Sequence, residues 1–181
     1  MKVLLVNASA PTYNLALAKA ARWWQRQGAT VEWMTDVPTL FRYDTIWISA
    51  VFSWHAPRLI EMAQLAILHG AGEVEVGGPG TFGPRHLIKE RTGLTTQYLP
   101  DCRFDREPGR YAMVFWSRGC PAMNCSLGYP RNGQPPICLV PAIEGTRYTL
   151  YPDTEPAPVI LDNNLSALPR PHQELIVEKT L

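Results

Sequence analysis

What this sequence lacks narrows its possibilities before any motif is read. No apolar run reaches the roughly 18 residues that a membrane span requires, and the opening MKVLLVNASA turns polar too soon for a secretory leader. A cytoplasmic protein with no membrane partner is therefore expected. Charge of neither sign is in excess: 17 Lys and Arg stand against 16 Asp and Glu, for a net charge of +1, which gives no electrostatic case for a nucleic-acid partner. The GxGxxG fingerprint is absent, which argues against a nicotinamide cofactor. Cysteine is scarce at four residues, and in a reducing compartment so few thiols serve as metal ligands or redox groups more readily than as disulfides.

What is present is enough for a packed fold. The 181 residues are 46% apolar, sufficient for one large domain or two small ones with a real core. Residues 2–6 form a short apolar strand, residues 14–27 a helix that Asn14 can cap and Gly28 can end, and residues 30–34 a second strand. This β-α-β span of about 35 residues is the size of a crossover unit. A third strand is expected over residues 44–52, a helix over 57–69 with Pro57 in its first turn, and a fourth strand over 73–76 that opens into Gly77, Gly78, Pro79 and Gly80. A short helix over 83–92 and an edge strand over 94–98 complete the pattern.

Strands alternating with helices at this spacing predict an α/β fold with a doubly wound parallel sheet over residues 1 to about 105, flavodoxin-like or cobalamin-binding-like in kind. Asn7, Ser49, Ser53 and the turn at Gly77 and Gly78 then fall at the carboxyl edge of the sheet, where ligands collect. The glycines are read either as ligand contacts or as a tight strand-to-helix connection. Trp54 and His55 follow the third strand at the same edge. Most of the other tryptophans are assigned to the core, Trp24 and Trp47 among them.

Residues 100–110 are polar and proline-bounded, marking a domain boundary, with Cys102 read as a structural cysteine of the linker. The second unit, residues 106–181, opens with the apolar run 111–116, read as one buried strand that Ser117, Arg118 and Gly119 break. Three of the four cysteines follow as Cys120-x4-Cys125-x12-Cys138. Residues 146–158 read as loop, residues 159–161 as a strand ended by Asp162, Asn163 and Asn164, and residues 169–181 as a helix with Pro171 at its start. Three thiolates lacking a nearby histidine suit an iron-sulfur cluster with one open iron. A structural zinc site and buried, inert thiols remain alternatives at this level.

The segments SRGCPAMNC and ICLVPAIEG resemble the cluster loop of the radical S-adenosylmethionine superfamily, in particular members with an N-terminal cobalamin-binding-like domain. Ser117, Arg118, Gly119, Cys120 and Pro121 carry the first part of that likeness, and Cys138, Val140, Pro141, Ile143, Glu144 and Gly145 the second. YDTIWISAVFSW and EVEVGGPGT are similar to the third and fourth strands of the N-terminal domain. The family's usual cysteine pattern, CxxxCxxC, is here expanded in both intervals; closing about twelve residues rather than two adds only about 1 kcal/mol of loop entropy.

The resemblance implies a 4Fe-4S cluster on Cys120, Cys125 and Cys138 that chelates S-adenosylmethionine and releases a 5'-deoxyadenosyl radical. It also implies cofactor contacts from Asp162, Asn163 and Asn164, with Gly77 and Gly78 as candidates in the first domain. An electron donor and a small or macromolecular substrate are implied partners. The first βα loop reads NASAPTY and lacks the DxHxxG segment, which makes cobalamin a doubtful ligand. A radical barrel uses about six βα units and residues after 110 offer barely two, so the second unit is expected to be the incomplete start of such a domain. The other readings are a non-catalytic Rossmann-like binding domain with a stub and a zinc-loop protein.

Overall fold

The computed structural model describes residues 1–39, 42–97, 113–114, 117–118, 149–151, 154, 159–160 and 168–180. The chain divides into two compact units, Met1–Tyr98 and Leu99–Leu181.

The first unit is a mixed α/β structure built on one parallel sheet. Strand β1 (Lys2–Asn7) leads to helix α1 (Leu15–Arg26) and strand β2 (Thr30–Met34). Strand β3 (Thr45–Ser49), helix α2 (Ala56–Leu68), strand β4 (Glu73–Gly77), helix α3 (Arg85–Thr92) and the two-residue strand β5 (Thr96–Gln97) follow. The strand order is β2-β1-β3-β4-β5, and every pairing is parallel. β1 is flanked on both sides and covered on both faces, so its interior residues are apolar without alternation; Val3, Leu4, Leu5 and Val6 are all fully buried.

Alternation along each strand sends its side chains to opposite faces of the sheet. Leu4, Val6, Ile46, Ile48 and Val76 point to one face, where they pack in a single cluster with Leu59, Met62, Ala63 and Ala66 of α2 and Ile88 of α3. The buried residues of α2 recur at helical spacing, which is why this stretch is a helix and why it lies on the sheet. α1 buries Leu17, Ala20, Ala21 and Trp24. None of these joins the first cluster, and neither do Val3 and Leu5, as expected for a helix on the opposite face. Between β2 and β3 the chain crosses without a helix among the described residues, and Val37 and Tyr43 of this connection insert into the cluster of α2 and α3.

The expected elements over 2–92 are present, with shifted ends. β3 stops at Ser49 rather than running to residue 52, because Ala50 through Phe52 leave the sheet to meet the turn after β4: Gly80 N–H donates to Ala50 O at 2.9 Å. α1 is capped as expected, with Leu17 N–H donating to Asn14 Oδ1 at 3.3 Å.

In the second unit, β6 (Met113–Val114) pairs in parallel with β9 (Val159–Ile160), and β7 (Ser117–Arg118) pairs antiparallel with β8 (Thr149–Leu150). Two expectations are corrected here. Ser117 and Arg118 extend as a strand rather than breaking one, and Thr149 and Leu150 pair with them rather than lying in a loop; the backbone ladder, blind to side-chain polarity, decides both. Helix α4 (Arg170–Thr180) has Pro171 in its first turn and buries Ile176. Among the described residues no helix is long and apolar enough to cross a membrane.

At the amino edge of the sheet a polar cluster ties three strands together. Tyr43 Oη donates to Glu32 Oε2 at 2.5 Å, Lys2 Nζ lies 2.9 Å from Glu32 Oε1 and 4.6 Å from the centre of the Tyr43 ring, and Lys2 N–H donates to Asp44 Oδ2 at 2.7 Å. Burial and then the Glu32 hydrogen bond push the Tyr43 phenol up to about 12 from its ordinary 10.0. The Tyr43 hydrogen bond and then Lys2 hold Glu32 below its ordinary 4.5. A raised pKa contributes stability that is complete below the unfolded value and lost on passing the folded one; a depressed carboxylate does the reverse on the acid side. Stability is therefore expected to fall as pH rises from 10.0 toward about 12, and to fall on acidification only below the ordinary range of Glu32. Tyr43→Phe should flatten the alkaline limb and move the acid limb upward, read from urea denaturation across pH; unchanged limbs would contradict the coupling.

Candidate functional site

The march of the strands reverses between β1 and β3, since β1 has β2 on one side and β3 on the other. Loops leaving neighbouring strands at such a point run to opposite faces and open a crevice at the carboxyl edge. In this chain the crevice is framed by the loop after β1, residues 8–14, the loop after β3, residues 50–55, and the turn after β4, residues 78–84.

One buried side chain holds the first two of these together. Asn14 Nδ2 donates to Asn7 Oδ1 at 3.4 Å and to Ser49 O at 3.3 Å. Its Oδ1 accepts from Leu17 N–H, the helix cap, and from Ser49 Oγ at 3.4 Å. Asn7 in turn donates from Nδ2 to Thr12 O at 2.8 Å and accepts at Oδ1 from Ser9 N–H at 3.0 Å. The amide groups thus use both their donors and acceptors on the protein itself.

Ser9 forms a second bridge. Its Oγ accepts from Val51 N–H at 2.9 Å and lies 2.8 Å from His55 Nδ1, although 46 residues separate Ser9 from His55. Ser9 is 1% exposed, and its hydroxyl braces the two loops from within. Beyond it, Phe52 and Trp54 stack with ring centres 4.5 Å apart and 5° between planes. Trp54 is 68% exposed, so this pair presents an aromatic face at the carboxyl edge.

Gly77 ends β4, where its carbonyl accepts from Ala50 N–H at 3.0 Å. Gly78 has φ +92°, and a Cβ there would come within 2.5 Å of both Ala50 O and Ser49 Oγ. Its carbonyl accepts from Thr81 Oγ1 at 2.8 Å and from Thr81 N–H at 3.0 Å. The close approach of two loop backbones accounts for the missing side chain at this position without a ligand.

The other residues singled out in sequence, Cys120, Cys125 and Cys138 with Asp162, Asn163 and Asn164, lie outside the described residues, as does Cys102. Their strand framework does not. β6 and β9 run side by side in the same direction, but the strand next before Cys120 is β7, which pairs antiparallel with β8 in a separate ladder. The β7 and β8 ladder, with Ser117 opposite Leu150 and Arg118 opposite Thr149, brackets the whole cysteine segment. Among the described residues, no group of three or more His, Cys, Asp or Glu side chains is gathered to hold a metal ion.

Sequence reasoning missed Ser9 and the second role of Asn14. A cap residue is legible from its neighbours, but the reach of its amide across the sheet is a tertiary fact. No family model matches the chain, and no curated protein or solved structure matches it either.

Gly78→Ala is expected to cost roughly 3 kcal/mol, combining backbone strain with overpacking against fixed carbonyls. Gly28, also at positive φ but with nothing within 4 Å of the built Cβ, should cost about 1–2 kcal/mol when changed to Ala. Denaturant titrations of the two variants check the difference; equal costs would show that the loop contact at Gly78 carries no energy.

Proposed function

We propose that this chain is a radical S-adenosylmethionine-type protein, with a flavodoxin-like, cobalamin-binding-like first unit and the opening βα units of a radical domain in the second. For the first unit, the support is the strand order β2-β1-β3-β4-β5, the order of flavodoxin-like sheets. For the second, the support is the parallel pairing of β6 with β9; in sequence β9 precedes Asp162, and β6 precedes β7 and then the cysteine segment. That pairing carries the reading, because a radical domain is built on parallel βα units and β6 with β9 is a parallel pair in the second unit.

Cys120, Cys125 and Cys138 would hold a 4Fe-4S cluster: three thiolates are the donor set for a cluster with one open iron. In sequence the segment that contains them lies between β7 and β8, whose ladder sets Arg118 opposite Thr149. When bound, the group supplies one-electron chemistry at the sulfonium of S-adenosylmethionine. Asp162, Asn163 and Asn164 would contact the polar groups of that cofactor, an electron donor would supply the reducing equivalent, and the substrate would be met by loops beyond those two strands. Cobalamin has no histidine to meet in the loop after β1, where Asn7, Ser9 and Asn14 are engaged with one another and with β3.

Anaerobic reconstitution of the full chain with iron and sulfide should load about four of each per chain, and Cys138→Ala should abolish loading as completely as Cys120→Ala or Cys125→Ala. Iron that survives Cys138→Ala would place the third ligand elsewhere. Zinc at one per chain would favour a structural metal loop, and loading of neither metal would leave a binding domain without cluster chemistry.

A further inference from the structure

We infer a second binding site, for a purine ribonucleoside, at the carboxyl end of β2. An open cleft of about 550 Å³ lies there, walled among the described residues by Asn7 at the end of β1 and by residues 33–38. That volume is in the range of small-molecule sites, about 300–1,000 Å³. Its location owes nothing to the cysteine segment, so it stands apart from the function proposed above.

Three features define the ligand. The first is a carboxylate. Asp36 follows β2 directly, the place from which an acidic residue reaches ribose hydroxyls in parallel α/β sheets that bind nucleosides over their first two strands. Asp36 Oδ1 accepts from Val37 N–H at 3.0 Å, and Oδ2 has no partner among the described residues. The turn that carries it is anchored from both sides: Arg58 Nη2 donates to Thr35 O at 2.9 Å, and the Val37 side chain is buried in the core cluster. The acceptor is therefore presented on a fixed backbone.

The second feature is an aromatic wall. Trp33 is 47% exposed although it sits in a strand, and it lines the cleft. An indole face left open beside a carboxylate suits a heteroaromatic base, and purines offer the larger stacking area. The third feature limits what the loop after β1 can offer a phosphate. Dinucleotide sites bind pyrophosphate on the free amides of the loop after β1, but here Ala8 N–H donates to Ser49 O, Ser9 N–H to Asn7 Oδ1, Ala10 N–H to Asn7 O and Thr12 N–H to Ser9 O. Residue 11 is proline and has no N–H to offer. The chemistry that Asp36 and Trp33 recognise is a diol and a base.

Isothermal titration of the full chain with adenosine tests this. Adenosine should bind saturably at one site, with 2'-deoxyadenosine at least about tenfold weaker, the effect of losing one hydrogen bond to a charged acceptor. Asp36→Asn keeps the Val37 contact and should erase the preference for the ribose, while Trp33→Ala should weaken both nucleosides alike. Both residues are exposed, and unchanged urea midpoints would show that the variants fold. The Cys120→Ala chain should bind adenosine as the wild type does, which separates this site from the cluster. No saturable binding, indifference to Asp36→Asn, tighter binding of adenosine triphosphate than of adenosine, or binding lost with Cys120 would each overturn the inference.

Discussion

The side chain of Asn14 is the constraint on which the carboxyl edge depends. It caps α1, fixes the end of β1 through Asn7 and meets both the carbonyl and the hydroxyl of Ser49 at the end of β3. Its individual hydrogen bonds are long, and none would be worth more than about 1 kcal/mol alone. Their value lies in completeness: a buried amide with all four positions used leaves no desolvation cost unmet, whereas a partly satisfied one would be a liability in the same place. Because the strand march reverses between β1 and β3, this single residue ties together the two strands that flank the crevice.

Further restraints follow from that arrangement. With the loops after β1 and β3 drawn together, Ser9 Oγ reaches the backbone of Val51 and the ring of His55, and Gly78 must pass so close to Ala50 that no side chain fits. The amides of Ala8, Ser9, Ala10 and Thr12 are spent on holding the loops. What stays open is displaced to either side: the stacked pair of Phe52 and Trp54 beyond β3, and the cleft of Asp36 and Trp33 beyond β2.

Much of this first unit was legible in the sequence, for physical reasons. β2 was bounded correctly because Gly28 and the polar residues after Met34 act locally, and α1 because Asn14 and Gly28 sit where caps belong. The end of β3 was not legible. Residues 50–52 are as apolar as the strand before them, and only the turn after β4, contacting them from nearly 30 residues away, pulls them out of the sheet. The Ser9 and His55 pair was invisible for the same reason, since nothing in either neighbourhood refers to the other. In the second unit, the polar Ser117 and Arg118 read as a strand's end, yet a ladder with Thr149 and Leu150 makes them a strand. The cysteines and Asp162 lie outside the described residues, so their reading as ligands rests on residue type and flanking segments alone.

The cluster assignment for Cys120, Cys125 and Cys138 is most directly tested by electron paramagnetic resonance of the reduced, reconstituted chain with and without S-adenosylmethionine. An open iron binds the cofactor itself, so the signal of the reduced cluster should shift on its addition and broaden further when the cofactor carries a magnetic isotope at its amino or carboxyl group. A cluster signal that ignores S-adenosylmethionine would contradict the assignment, whatever the iron content.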